Sequence, residues 1–383
     1  MPIEPYRMAP RRAASRLWIA WVLLAAAVLA CGCQHRKQAG NPKLEWIVVS
    51  ADGKSFVGQT TGTRFTPWGF NYDHDEEGRL LEDYWESEWE KVAADVAEMK
   101  HLGANVVRVH LQLGKFMENP STPRASALNR LRELVHLAER ERLYLDITGL
   151  GCYHKADVPA WYDTLPEQER WEVQARFWEA VARVCRESPA IFCYDLMNEP
   201  VAPAGEHPDW LGPAFAGKHF VQFISRSRNG RESTHIARAW IQHLTAAIRK
   251  EDSRHLITVG LVDWSLDRPG LKSGFVPDQV APDLDFLSVH LYPERSRVRE
   301  ALDTLNGFAV GKPVVIEETF PLKCSREEFA EFMRGSREVA SGWIGFYWGA
   351  TPEEYRASGT LQGVLMLAWL EYFQAAAREY SRN

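Results

Sequence analysis

Eight short apolar runs alternate with amphipathic helical stretches from residue 67 onward, and that alternation leaves few folds open. The runs are Pro67–Tyr72, Asn105–Leu111, Leu143–Ile147, the segment from Ile191 that ends at Glu199, Leu256–Leu261, Phe286–His290, Val314–Glu318 and Ile344–Trp348. Helical spacing of apolar residues separates them: Trp85, Trp89, Val92, Val96 and Met99, then Leu128, Leu131, Val135 and Ala138. Phe177, Val181 and Val184 mark a third helix, and Ala237, Ile241, Leu244 and Ile248 a fourth. Further helices are expected near Ser296–Leu305, Ser325–Ala340 and Leu361–Arg378. Strands that alternate with helices predict an α/β fold with a parallel sheet, here a single (β/α)8 TIM barrel spanning residues 44–383. Residues 44–66 read as an N-terminal β-hairpin turning at Ala51-Asp52-Gly53, a lid for the barrel's bottom. Long loops follow strands 4 and 5, at Val201–Glu232 and Asp263–Asp283, and are expected to wall a cleft.

Function in such a barrel is expected at the C-terminal ends of the strands. Two carboxylates fall there. The run Ile191–Pro200 (IFCYDLMNEP) closes on Asn198-Glu199-Pro200, where proline stops further pairing. The run KPVVIEETF ends its strand in Glu317 and Glu318. Acidic residues at the ends of two separate strands can face one bond from opposite sides, as glycosidic cleavage requires. Strand alternation lets only one of Glu317 and Glu318 face the axis.

The formal net charge of −6 argues against nucleic acid as a partner. No phosphate-binding glycine motif and no CxxC or HExxH spacing is present, so neither cofactor nor metal is expected. Cys185 and Cys193 fall on apolar faces and read as buried free thiols. The N-terminus differs from the rest: Arg11, Arg12 and Arg16 precede the apolar run Leu17–Ala30, which has the layout of an export signal over residues 1–30. Val28-Leu29-Ala30-Cys31 resembles the lipobox of bacterial lipoproteins, which makes Cys31 the lipidated residue and 31–43 a tether. The expectation is an exported, lipid-anchored envelope protein, monomeric, touching the membrane only through that anchor.

At this point the chain resembles glycoside hydrolase family five and its clan of retaining (β/α)8 glycosidases. The resemblance is carried by Gly69-Phe70-Asn71, Arg108 in NVVRVHL, Asn198-Glu199-Pro200, Val289-His290-Leu291-Tyr292, Glu318 in PVVIEETF and Trp348 in GFYWG. It implies Glu199 as acid/base and Glu318 as nucleophile. It also implies Asn71, Arg108, Asn198, His290, Tyr292 and Trp348 as substrate-binding residues. Among these Asn198 would hold the sugar 2-hydroxyl, His290 and Tyr292 would donate on the nucleophile side, and Trp348 would be an aromatic platform. Arg108 would keep Glu318 ionised. The implied substrate is a β-linked glucan or mannan-type chain.

Two departures bear on substrate. Leu145-Asp146-Ile147-Thr148 carries threonine where many members have a histidine, and Thr319-Phe320-Pro321 follows the seventh-strand glutamate instead of an aromatic and glycine. Two other functions are compatible with the same residues: transglycosylation, and non-catalytic glycan binding by a surface lipoprotein. His110, Asp73 and His74 stand close enough to strand ends to join the site, and Trp161, Trp210 and Trp264 fall in loops suited to outer subsites.

Overall fold

The computed structural model describes residues 44–268 and 271–380. The expectations for Cys31, the 1–30 signal and the 31–43 tether lie outside the described residues. From Leu44 onward the chain forms one compact unit.

Its centre is a parallel barrel. The strands are β1 (Trp68–Tyr72), β2 (Val106–Gln112), β3 (Tyr144–Gly151), β4 (Ile191–Asp195), β5, β6 (Leu287–His290), β7 (Val314–Thr319) and β8 (Ala340–Gly345). Strand β5 is split at Val259 into Leu256–Thr258 and Gly260–Val262. Its first half pairs with β4 (Leu256↔Cys193) and its second with β6 (Gly260↔Ser288), so the two ends of the sheet are one strand and the barrel closes across Val259. Helices α1 (Trp89–His101), α2 (Ala125–Glu141), α3 (Glu167–Cys185), α4 (Ser233–Glu251), the short α5 (Pro277–Val280), α6 (Val298–Asn306), α7 (Arg326–Ser336) and α8 (Leu361–Tyr380) lie between and after the strands. Each long helix buries the apolar stripe legible in its sequence; α2, for example, turns Leu131, Leu134, Val135 and Ala138 inward.

Three boundaries differ from the sequence reading, with consequences for the site. Strand β4 stops at Asp195, and Glu199 begins a separate short ladder, Glu199–Val201 paired with Val221–Phe223. Helix α7 starts at a capping box, in which Ser325 Oγ accepts the Glu328 N–H, and ends at Ser336 rather than near Ala340. Strand β8 therefore begins at Ala340 and ends at Gly345, several residues before Trp348.

The N-terminal segment is a three-stranded antiparallel ribbon, Ile47–Val49, Phe56–Gly58 and Arg64–Phe65. Phe56 plugs the bottom of the barrel, edge-on to Phe192 at 5.1 Å and to Phe286 at 5.2 Å, and packs with Val106, Tyr144 and Leu256. Above that apolar floor the interior turns polar. Asn71, Arg108, Asp146 and Cys193 lie in register on β1 to β4, and Ser288 and Glu317 complete the ring. Side chains two residues further along each strand, such as His110, Thr148, Asp195 and His290, stand nearer the C-terminal face. The four described cysteines, Cys152, Cys185, Cys193 and Cys324, are free thiols, and all but Cys324 are buried.

Candidate active site

Arg108 is the hub. It is fully buried, and one terminal nitrogen donates to Glu318 Oε1 at 2.7 Å and to Asn71 Oδ1 at 2.8 Å. The other donates to Asp195 Oδ2 at 2.7 Å and Asn198 Oδ1 at 3.1 Å. Asp195 also accepts from Thr148 Oγ1 and from the Gly260 N–H, each at 2.8 Å. Gly260 has a steric reason to be glycine: a Cβ there would stand 2.1 Å from the Asn198 carbonyl oxygen. The backbone leading to Glu199 is thus pressed against the broken fifth strand.

Glu199 and Glu318 meet across one opening. Their nearest ligand oxygens lie within 4.8 Å of each other and of a His290 ring nitrogen. That spacing also suits a metal-ligand set, but each group is already engaged by protein. His290 Nδ1 sits 2.9 Å from Glu199 Oε1 and 3.6 Å from Glu318 Oε2, and Tyr292 Oη donates to Glu318 Oε2 at 2.7 Å. Burial opposes a charge on His290, yet the Glu318 charge and the hydrogen bonds to Glu199 and Glu317 outweigh it and raise its pKa to about 10. Burial raises the Glu318 carboxyl as well, while His290, Arg108 and the Tyr292 hydroxyl pull it back.

The period-two alternation of β7 points Val315 and Glu317 into the barrel, so it is Glu318 that breaks it by facing the same side. The Glu317 carboxylate turns inward: Oε1 accepts from Ser288 Oγ at 2.9 Å, and Oε2 lies 3.5 Å from Arg108 and 3.6 Å from His290 Nε2. The pairing register of β7 shifts against β8 between Ile316 and Thr319, and β6 shifts against β7 at Val289/His290. This irregularity lets adjacent residues share one side. Despite full burial, Arg108 and His290 hold the Glu317 pKa low, whereas burial and the Glu317 charge push the neighbouring Asp146 well up.

A cavity of about 440 Å³ opens over this layer. Glu199, Glu318 and Tyr292 line it, with His74, Lys218, Phe346 and Tyr347. Asn71, Arg108, Asn198 and His290 stand behind them. Asn71 is fully buried and satisfied within the protein: Nδ2 donates to the Glu317 carbonyl at 2.9 Å and the Gly345 carbonyl at 3.3 Å, and His110 Nε2 adds to Arg108 at its oxygen, at 3.0 Å. Asn71 and Arg108 are thus held by protein partners and stand outside the residues that line the cavity. Asn198 Nδ2 points to the Phe220 carbonyl at 3.3 Å. With β8 ending at Gly345, Trp348 is fully buried against Phe70, ring centroids 5.7 Å apart, and Phe346 lines the cavity wall. Trp161, Trp210 and Trp264 do not line the cavity; Trp210 packs edge-on against Tyr162 at 5.3 Å. Sequence reasoning missed Asp195, although it stands in the same strand-end run as Glu199, and Tyr153, whose hydroxyl is 2.5 Å from His110 Nδ1.

The cellulase family profile (glycosyl hydrolase family 5) matches residues 50–350. The chain belongs to this family. Among curated relatives, mannan endo-1,4-beta-mannosidase A of Podospora anserina is 26% identical over 221 residues, covering 50% of this chain and 51% of that protein. Mannan endo-1,4-beta-mannosidase 2 of Arabidopsis thaliana is 28% identical over 125 residues, covering 28% of this chain and 22% of its own length. The chain thus spans about half, or less, of the length of these curated relatives. Among solved structures, an exo-beta-1,4-mannosidase from Opitutaceae bacterium strain TAV5 superposes with TM-score 0.67 at 18% identity, over 88% of this chain and 63% of that one. An endo-1,4-beta-mannanase from Rhizomucor miehei gives 0.59 at 17% identity, over 86% and 99%. At those identities the structures speak to the family barrel alone.

Proposed function

We propose that this family 5 protein hydrolyses β-mannosidic linkages of mannan-type substrates by double displacement, with retention at the anomeric carbon. The observation that carries the reading is the approach of Glu199 and Glu318 oxygens to within 4.8 Å across one cavity. A separation of that order leaves room for a sugar carbon but not for an intervening water, the geometry of a covalent intermediate. Glu318, oriented by Arg108 and Tyr292, attacks the anomeric carbon from below. Glu199 gives its proton to the leaving oxygen from the other side. Its Oε1 lies 2.9 Å from His290 Nδ1, which orients the carboxyl. Water then enters, Glu199 takes its proton, and the ester to Glu318 opens. The mannan-type glycone is supported by the substrates in the names of the relatives.

The test is hydrolysis of β-1,4-mannan, mannotriose, cellulose and xylan by wild type and Glu318→Gln. Mannan-type cleavage lost in the variant supports the reading, while cleavage of glucan or xylan alone reassigns the sugar. The same inference extends to the N-terminus: lipidation at Cys31 anchors an exported enzyme to the envelope, with 31–43 as tether. Intact-mass analysis of membrane-extracted protein tests it, since a mature form lacking Cys31 overturns the anchor.

A further inference from the structure

Beyond the catalytic pair, the cavity wall is more apolar than a sugar chain calls for. Pro213, Phe215, Phe220 and Val221 line it beside Lys218 from one segment, and Phe320 and Leu322 from the segment after β7. Aromatic rings can stack on pyranose faces, but Pro213, Val221 and Leu322 offer hydroxyl groups no hydrogen-bond partner, and a polar group desolvated against them is disfavoured. Phe215 and Leu322 stand at the mouth 68% and 56% exposed, which makes them costly unless something apolar covers them.

The position of this wall matters as much as its composition. Leu211 and Gln222 bridge a hairpin that turns at Ala216-Gly217, both in the left-handed region at φ 48° and 80°. Its returning strand pairs Val221 in register with Glu199. The group that leaves takes its proton from Glu199, so it departs along this hairpin. Leu361, Val364 and Leu365, at the start of α8, are also exposed, at 76%, 61% and 60%. Gln362 ties that turn to Glu76 at 3.0 Å, and Glu76 accepts the Tyr347 hydroxyl at 3.3 Å on the cavity wall. Leu365 and Pro321, next to Phe320 and Leu322, line a further pocket.

We propose that the leaving-group side of the site takes an alkyl aglycone, so that β-glycosides of lipid-like alcohols are substrates. This rests on the hydrolase reading above. The step balances as hydrolysis: the bond from the anomeric carbon to the aglycone oxygen breaks, Glu199 protonates that oxygen, and the alkanol departs. Water then splits the Glu318 ester and returns a proton to Glu199.

The experiment compares kcat/KM for octyl and methyl β-mannosides, and for the same pair of β-glucosides, below the detergent's micelle threshold. β-1,4-Mannotriose runs alongside. The two alcohols have similar acidity, so the octyl-to-methyl ratio reports aglycone binding rather than leaving ability. Wild type is expected to favour octyl about tenfold or more, as burial of two methylenes would give. The surface variants Phe215→Ser and Leu322→Ser each lower that ratio, which within one variant cancels any general loss. Mannotriose cleaved with an octyl-to-methyl ratio near one overturns this inference and leaves the hydrolase reading standing. A high ratio unmoved in both variants overturns the assignment to this wall. Cleavage of no glycoside by folded protein overturns both readings.

Discussion

Glu317 and Glu318 are neighbours on one strand, yet both carboxylates reach Arg108, at 3.5 and 2.7 Å. One lies in the barrel's buried polar layer and the other lines the cavity, so two chemically identical groups take different roles through position alone. Glu318→Gln is expected to lower kcat about 10⁴-fold or more. Glu317→Gln, which loosens Arg108 and His290 without removing a reacting atom, costs about a hundredfold or less. Azide should restore turnover to Glu318→Ala by replacing the missing nucleophile, and should do nothing for a Glu317 variant. Steady-state kinetics of the three enzymes checks this.

The hydrogen bond between His290 and Glu199 is expected to set the alkaline limit of activity. His290, buried yet with its pKa raised by the Glu318 charge and by its hydrogen bonds to Glu199 and Glu317, keeps its ring proton well above neutrality and loses it only as pH rises toward about 10. In His290→Gln the alkaline limb of kcat/KM is expected to move to lower pH by at least about one unit, and the acid limb, governed by protonation of Glu318, to higher pH, because the His290 charge that opposes that protonation is gone. A pH–rate profile of both proteins reads this directly.

Phe346 and Trp348 separate binding from stability. Trp348→Ala empties a buried site and is expected to cost about 3–5 kcal/mol of stability. Phe346→Ala, on the half-buried cavity wall, is expected to raise KM about tenfold, with stability changed by about 1 kcal/mol or less. Denaturant melts and Michaelis curves on the two variants give opposite patterns.

Away from the site, Asp252 locks the end of α4 to the barrel. It accepts from the Tyr194 hydroxyl at 2.7 Å and the Arg254 N–H at 2.8 Å, and lies 2.5 Å from His255 Nδ1. Burial would raise its pKa, but the hydrogen bond and charge of His255 prevail and lower it to about 2. A carboxyl depressed on folding contributes stability that is present above its unfolded pKa near 4, and that is lost as pH falls through the folded value. Between about pH 4 and 2 the stability of wild type therefore falls more steeply than that of Asp252→Asn, which is weaker at neutral pH to begin with. Urea titrations across that range measure both slopes.

The barrel was legible because each strand is a compact apolar run and each helix carries a stripe with a stop, such as Gly103 at φ 100° after α1. The facing of Glu199 and Glu318 across one cavity was legible because strand ends mark the open face of such a barrel. What sequence could not show is local register. The shifts around Ile316–Thr319 defeat the period-two rule that assigned Glu317 and Glu318 to opposite faces. Phe346-Tyr347-Trp348 offers three aromatic residues in a row, and only the early end of β8 at Gly345 decides which meets the cavity. The 211–222 hairpin read as loop because its pairing runs for very few residues and its turn places a non-glycine, Ala216, at positive φ.

The central claim is that Glu318 becomes covalently bonded to the sugar. The most direct measurement is inactivation by a fluorinated mannosyl donor with a good leaving group, followed by intact mass and peptide mapping. The account predicts one added glycosyl mass located on Glu318. A label on Glu317, or an inverted anomeric product with no adduct, would contradict it.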